Sequence, residues 1–169
     1  GRNFGFAIHA NGSLYGWGVN TSGQLGLGDY VNRTTMTSVP VTHVRQIGGG
    51  LSYSILLRTP PHGVIPAGGN REVLTTGGNT EGQRGQGAVG GGNTNTFALI
   101  TNNNGNTNQI GAGNRHAFYV SQGVVRSWGV GSLGERADGT FVATSGTPTQ
   151  IPSTPTVSGV LVSTNNSTL

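Results

Sequence analysis

The sequence predicts an all-β fold built from a repeated, glycine-punctuated unit. Three observations predict it: 32 glycines in a chain with only 8% charged residues, apolar runs of strand length, and a motif that returns along the chain. Glycine is entropically costly in a helix, and Asn, Ser and Thr side chains compete there for backbone groups, so this composition suits short strands and tight turns. Disordered chains carry high net charge and few aliphatic residues. Here Phe6-Ala7-Ile8, Ile55-Leu56-Leu57, Phe97-Ala98-Leu99-Ile100 and Phe118-Tyr119-Val120 recur instead, and the chain reads as ordered.

The clearest copy of the motif is Leu14-Tyr15-Gly16-Trp17-Gly18-Val19-Asn20-Thr21-Ser22-Gly23-Gln24-Leu25-Gly26-Leu27-Gly28-Asp29. A second is Thr76-Gly77-Gly78-Asn79-Thr80-Glu81-Gly82-Gln83-Arg84-Gly85-Gln86-Gly87, and a third is Trp128-Gly129-Val130-Gly131-Ser132-Leu133-Gly134-Glu135-Arg136-Ala137-Asp138-Gly139. The period is roughly fifty to sixty residues, the scale of repeat architectures. A second block keeps its own register: Gly48-Gly49-Gly50-Leu51-Ser52-Tyr53-Ser54-Ile55-Leu56-Leu57 aligns with residues 111–120, and residues 1–8 align with its later part. Two blocks recurring in one order are far harder to obtain by chance than either alone.

Within a unit, Asn11-Gly12 predicts a type I′ hairpin between Phe6-Ala7-Ile8 and residues 13–17. The turn at Ser121-Gln122-Gly123 is one residue shorter and joins residues 118–120 to 124–125. Outer strands are expected at 37–42, 44–47, 140–144 and 157–162, with Pro40, Pro148 and Pro152 at edges or strand ends, where the missing N–H is tolerated. Residues 58–71 insert where the first copy has a four-residue turn, and Arg58, Pro60, His62 and Arg71 make this a candidate binding loop. Residues 90–95 and 102–108 read as loops.

This order of elements resembles the blade of the regulator of chromosome condensation family. The resemblance rests on Trp17, Gly18, Asn20, Gly23, Gln24, Gly26, Gly28 and Asp29 in the first copy, and on Gly77, Gly82, Gln83 and Gly85 in the second. In the third it rests on His116, Trp128, Gly129 and Gly134. Thr76 and Arg84 replace the Trp and Leu of the pattern, and Gly131, Glu135 and Ala137 replace its Asn, Gln and Gly. The resemblance implies a β-propeller of four-stranded antiparallel blades, here an open arc of about three. Blade 1 is expected over 1–49 with its start incomplete, blade 2 over 50–112 with the hairpin insertion 58–71, and a degenerate blade 3 over 113–169. Propellers close rings of four to eight blades, so the arc is expected to belong to a longer chain or an assembly. An opening on Gly1-Arg2 rather than Met points the same way.

Composition then narrows function. Absent cysteine removes disulfides, zinc ribbons and a thiol nucleophile. Net charge +4 comes from scattered arginines against few acids, which is not the clustered basic surface that nucleic acid requires. No apolar run approaches the ~20 residues of a membrane span. Residues 129–134 match G-x-G-x-x-G, but no helix is expected after them to hold a pyrophosphate. His9, His43, His62 and His116 are dispersed, and His116 stands where the other copies have Tyr53 and Phe4, a packing position. Asp29, Glu72, Glu81, Glu135 and Asp138 are the whole supply of acids, and Asp29 is expected to cap its own turn. No catalytic, cofactor-binding or metal-binding residue is assigned, and the chain is read as non-enzymatic. Trp17 and Trp128 recur at one position, which points to packing between blades.

The expected role is a structural or protein-binding propeller of an extracellular, cell-surface or virion assembly. Its partners would be proteins, including further copies or neighbouring subunits. The exported location is read from the absence of Lys and Cys and the richness in Gly, Asn, Thr and Ser. Two alternatives stand beside it: guanine-nucleotide exchange on a small GTPase or a chromatin-associated scaffold, which the resemblance implies, and a carbohydrate-binding propeller.

Overall fold

A computed structural model describes residues 1–60, 71–103 and 105–152. The first sheet holds β1 (Phe4–Ile8), β2 (Leu14–Gly18) and β3 (Arg33–Val39). The second holds β4 (Val44–Gly49), β5 (Tyr53–Arg58), β6 (Glu72–Gly77) and β7 (Thr94–Leu99). The third holds β8 (Thr107–Ala112), β9 (His116–Ser121), β10 (Val124–Val130) and β11 (Thr144–Gln150). All three are antiparallel meanders in sequence order, and no helix is present among the described residues. The second and third sheets are thus the expected four-stranded blades. The first has three strands among the described residues, so β1 lies at a sheet edge where β5 and β9 are paired on both sides.

The sheets are cut one strand earlier than the repeat motif. β4 opens the second sheet and β8 the third, whereas boundaries placed at the glycine motif, 49/50 and 112/113, leave both strands with the preceding unit. The second block, Gly48-Gly49-Gly50 and Gly111-Ala112-Gly113, marks the turn between a sheet's first two strands, so it signals the unit late. For the same reason residues 44–47 are not an outer strand but the start of the second sheet.

The true outer strands, β3, β7 and β11, are offset from the expected 37–42 and 140–144. A bulge explains the offset. Gly16 pairs Thr37 but Gly18 pairs Arg33; Thr75 pairs Ala98 but Gly77 pairs Thr94; Ser127 pairs Thr149 but Gly129 pairs Ser145. In every sheet the outer strand accommodates extra residues opposite Trp17, Thr76 or Trp128, which bends it and re-aims its ends. β7 and β8 also begin inside the stretches read as loops, at Thr94 and Thr107. The candidate strand 157–162 lies outside the described residues.

The hairpin at Asn11-Gly12 departs from the expected turn type. At Asn11-Gly12 only Gly12 has a positive φ, of 85°; His9 N donates to Ser13 O and Gly12 N to His9 O at 2.9 and 2.8 Å. This is a type I turn closed by a glycine bulge, a three-residue loop rather than type I′. The type I′ turn is at Gln122-Gly123, where φ is 52° and 77° and Ser121 pairs Val124 directly.

Side chains alternate between the two faces of each strand, and that alternation builds two apolar seams. Leu56 and Leu74 join Leu14, Val39, Val41 and Val44, with Phe6 and Phe97 packed against them, between the first and second sheets. Tyr53, Ile55, Leu57 and Val73 join Ile110, Ala117, Tyr119 and Trp128 between the second and third. Tyr53 OH ties its seam further by donating to the carbonyls of Gly113 and His116 at 3.1 and 2.5 Å. Neighbouring blades therefore share their cores, as stacked repeats must.

Trp128 is fully buried and fills the middle of the second seam. Trp128→Ala should destabilise the chain by about 3–5 kcal/mol, whereas Met36→Ala, at 65% exposure, should stay within ~0.5 kcal/mol. Urea unfolding of the two variants checks the contrast.

Candidate functional site

The strands carry little chemistry, and the polar side chains concentrate in three loops that follow β2, β6 and β10. Asn20 organises the first. Its Oδ1 accepts from Leu25 N at 2.9 Å, and its Nδ2 donates to Asp29 O and Oδ1 at 3.0 and 3.1 Å. Asn79 repeats this with Arg84 N, Ala88 O and Gly90 O. The amide side chain suits the task because it donates and accepts at one point. Gly131 cannot do this in the third loop, and Arg136 replaces it from across the loop. Its Nη2 donates to Thr140 Oγ1 and Val142 O, both at 3.2 Å, and pairs with Asp138 at 2.9 Å.

The turn at the loop tip is also conserved in geometry despite changed residues. Gln24 and Gln83 accept, through Oε1, from the amides of Ser22 and Glu81 at 2.9 and 2.8 Å. Glu135 Oε2 accepts from Leu133 N at 2.8 Å, so a carboxylate serves where the pattern has Gln. Gly23 N donates to Asn20 O and Gly26 N to Gly23 O; the same pair of bonds recurs at Gly82 and Gly85, and at Gly134 and Ala137.

Each of the first two loops is seated on the outer strand of the next sheet. Gly28 N donates to Asn95 O and Gly87 N to Gly146 O, both at 2.8 Å. A Cβ on Gly23 would stand 2.2 Å from Thr94 O, and one on Gly82 2.7 Å from Ser145 O. Side chains of the next sheet then complete the loop carbonyls. Ser54 Oγ donates to Gln24 O and Thr76 Oγ1 to Gly23 O at 2.7 and 2.9 Å, while Trp128 Nε1 donates to Gln83 O at 2.8 Å. The replacement of Trp by Thr76 is thereby explained. A Ser–Thr pair supplies in the second sheet the donor that a Trp supplies in the third, where Ala117 stands in place of Ser54.

The sequence-assigned residues divide by role. Gly18, Gly77 and Gly129 adopt φ of 96°, 101° and 94° at the mouths of the three loops, and Trp17 lies half-buried over Gly5. Asp29 accepts from Val31 N at 3.0 Å and pairs with Arg33. The Arg33 guanidinium, with the Val31 amide, holds its carboxyl below the usual value of 3.8. Burial lowers the His116 pKa from its usual 6.5, with Glu135 opposing, so the ring rests neutral in its packing position. In the insertion, Arg58 is paired with Glu72 at 2.7 Å, Pro60 is buried, and Arg71 is exposed. His62 lies outside the described residues. Arg71 lines a polar cleft of ≈ 160 Å³ with Asn106, Thr107 and Asn108.

One feature of the loops was not assigned from the sequence. Tyr30, Val89 and Phe141 occupy the same position in the three repeats and are 47%, 47% and 78% exposed. Val31 and Val142 beside them are 62% and 57% exposed. The signal lay in the alignment: continuing each motif past its last glycine brings these apolar residues into one column. Among the described residues there is no group of three metal-capable side chains, and no helix is long and apolar enough to cross a membrane.

Residues 11–57 match the repeat family described as regulator of chromosome condensation (RCC1) repeat. The probable E3 ubiquitin-protein ligase HERC3 of Homo sapiens is 28% identical over 79% of this chain. Among solved structures, the chain is similar to Prp20p from Saccharomyces cerevisiae, described with its binding to Gsp1p and histones (TM-score 0.73, 22% identity, 89% of this chain). It is similar also to yeast RCC1 (Prp20) solved with Kap60 bound (0.74, 22%, 89%) and to human WBSCR16 (0.72, 21%, 90%). The chain spans 12% of the length of HERC3 and 36%, 35% and 36% of the three solved chains.

The loop geometry yields two expectations. Gly28 and Gly23 both have positive φ, but a Cβ meets open space at Gly28 and a carbonyl at Gly23. Gly28→Ala should therefore cost the left-handed penalty alone, about 1–2 kcal/mol, and Gly23→Ala a further ~1–3 kcal/mol of overpacking, read by denaturant unfolding. For Asp29, the native state holds the proton less tightly than the unfolded chain. Its contribution is therefore present above the ordinary carboxylate pKa and is lost as pH falls through the lowered native value. Asp29→Asn should flatten that acid limb in a series of urea midpoints taken from about pH 5 down to about pH 2.

Proposed function

Taking the chain as a row of β-propeller blades of the regulator of chromosome condensation type, we propose that it is a non-enzymatic, protein-binding scaffold and a component of an extracellular, cell-surface or virion assembly. The observation that carries the binding role is the recurrence of exposed apolar residues at one loop position in successive blades: Tyr30 with Val31, then Val89, then Phe141 with Val142. Rigid loops spaced by a stacked scaffold and tipped with aromatic or aliphatic groups supply the anchors on which protein interfaces depend. Charges beside them are paired within the loops, Asp29 with Arg33 and Asp138 with Arg136, so covering the apolar groups need not strand a lone charge. The exported location is supported by the absence of Lys and Cys.

Regulation of a small GTPase is the second reading. It is favoured by the likeness to Prp20p, which is described with binding to Gsp1p and histones.

The test compares the wild type with a triple variant, Tyr30→Ser, Val31→Ser and Val89→Ser. Each site is exposed, so the variant should melt with the wild type, within ~0.5 kcal/mol per site. Quantitative mass spectrometry of proteins captured from cell-surface and particle fractions should show partners retained by the wild type and reduced at least about tenfold by the variant, equivalent to ~1.4 kcal/mol. Identical capture by both would overturn the binding surface. Acceleration of nucleotide release across a panel of small GTPases would replace the first reading with the second.

A further inference from the structure

The second loop, which lies between the first and third, holds a cation that the chain itself does not neutralise. Arg84 stands where the first loop has the fully buried Leu25 and the third has Arg136. It is 7% exposed, and its Nε and Nη1 meet neither solvent nor an acceptor among the described residues. Arginine stays protonated in proteins, and a buried charge without a partner is costly.

Asn79 is the reason Arg84 is left over. In the third loop Gly131 stands at the Asn position, and a Cβ there would collide with Arg136 Nε. The Arg136 side chain therefore fills the space of the missing amide, donates to Val142 O and pairs with Asp138. In the second loop the Asn79 amide keeps that space, and its Nδ2 donates to Gly90 O, the counterpart of Val142 O. Gln86 stands at the position of Asp138. Arg84 thus lacks both the carbonyl and the carboxylate that satisfy Arg136. Burial pushes its pKa below the usual arginine value, and the Tyr30 phenol of the first loop opposes that shift.

No acid of the sequence is left to serve as counter-ion. Asp29 pairs with Arg33, Glu72 with Arg58, Glu81 with Arg115 and Asp138 with Arg136, while Glu135 accepts from the Leu133 amide. Residues 61–70, 104 and 153–169, which lie outside the described ones, include no Asp or Glu.

We propose that Arg84 is an anion-binding site that takes one carboxylate, supplied by an Asp or Glu side chain of a protein partner. The choice of source rests on the protein-binding role; the site itself does not. A guanidinium fork matches a carboxylate with two parallel N–H···O bonds. Entry is past Tyr30, whose side chain is 47% exposed and tied to Asn93 O by a hydrogen bond of 3.2 Å.

Nitrogen-15 NMR of the 169-residue chain tests the site, with acetate as the probe and chloride exchanged for it at constant ionic strength. The Arg84 Nε–H signal, identified as the one missing from Arg84→Leu, should shift and saturate. Acetate should also raise the urea midpoint of the wild type, as a ligand of the native state does, and leave that of Arg84→Leu unchanged. The variant should fold, because Leu25 fills the same position in the first loop. The source is tested by capture of partners, which Arg84→Leu should reduce at least about tenfold. No saturable shift with acetate, or an equal rise in midpoint for both chains, would overturn the site even where the Tyr30, Val31 and Val89 variant loses its partners. A saturable shift with undiminished capture by Arg84→Leu would overturn the partner side chain and make a free carboxylate the ligand. A saturable shift in a wild type that captures nothing would uphold the site and overturn the protein-binding role.

Discussion

The structure depends on the contact between a loop and the sheet after it. The backbone carbonyls and amides through which the first two loops meet the next blade are satisfied by it, because an unpaired buried carbonyl or amide costs more than the bond itself contributes. Gly28 and Gly87 bond the neighbouring outer strand, and Ser54, Thr76 and Trp128 supply the donors for the loop carbonyls. The backbones approach so closely there that a single methyl group on Gly23 or Gly82 would meet a carbonyl oxygen. Glycine at these points answers both to positive φ and to the neighbour's surface. The apolar seams follow from the same contact, since they fill the space between sheets whose separation the loops fix.

This constraint accounts for which substitutions the repeats tolerate. Glu135 replaces Gln because only one side-chain oxygen is required, to receive the Leu133 amide. Thr76 replaces Trp because Ser54 adds a second hydroxyl to the same junction. Arg136 replaces a leucine-type residue and takes over the bracing that Asn20 and Asn79 provide elsewhere. Each departure keeps the bonds and changes the residue. The repeats are degenerate in sequence and uniform in geometry.

Much of the fold was legible in the sequence for that reason. The glycine-spaced motif after Trp17 and Trp128, and the paired apolar runs before it, are direct imprints of the turn and of the alternating strand. The boundaries were less legible. The first strand of each sheet, β4 and β8, precedes the motif and carries no special residue of its own. The bulges in β3, β7 and β11 displace those strands by residues that look like ordinary loop. The turn at Asn11-Gly12 shows how little a dipeptide decides: one more residue in the loop converts the expected type I′ turn to a type I turn with a glycine bulge, and Gln122 adopts the left-handed conformation instead. The exposed column of Tyr30, Val89 and Phe141 was visible only once the copies were aligned beyond the last glycine, because a single exposed apolar residue means nothing alone.

Amide hydrogen exchange in the dilute chain tests the central claim most directly. Gly28, Gly87 and Gly139 occupy one position in three copies of the same loop, and among the described residues only the first two meet a following sheet. The account predicts slow exchange at Gly28 and Gly87 and fast exchange at Gly139. Equal rates at all three, slow or fast, would show that the loops are held by their own turns, and that the contact with the next sheet is not what orders the fold.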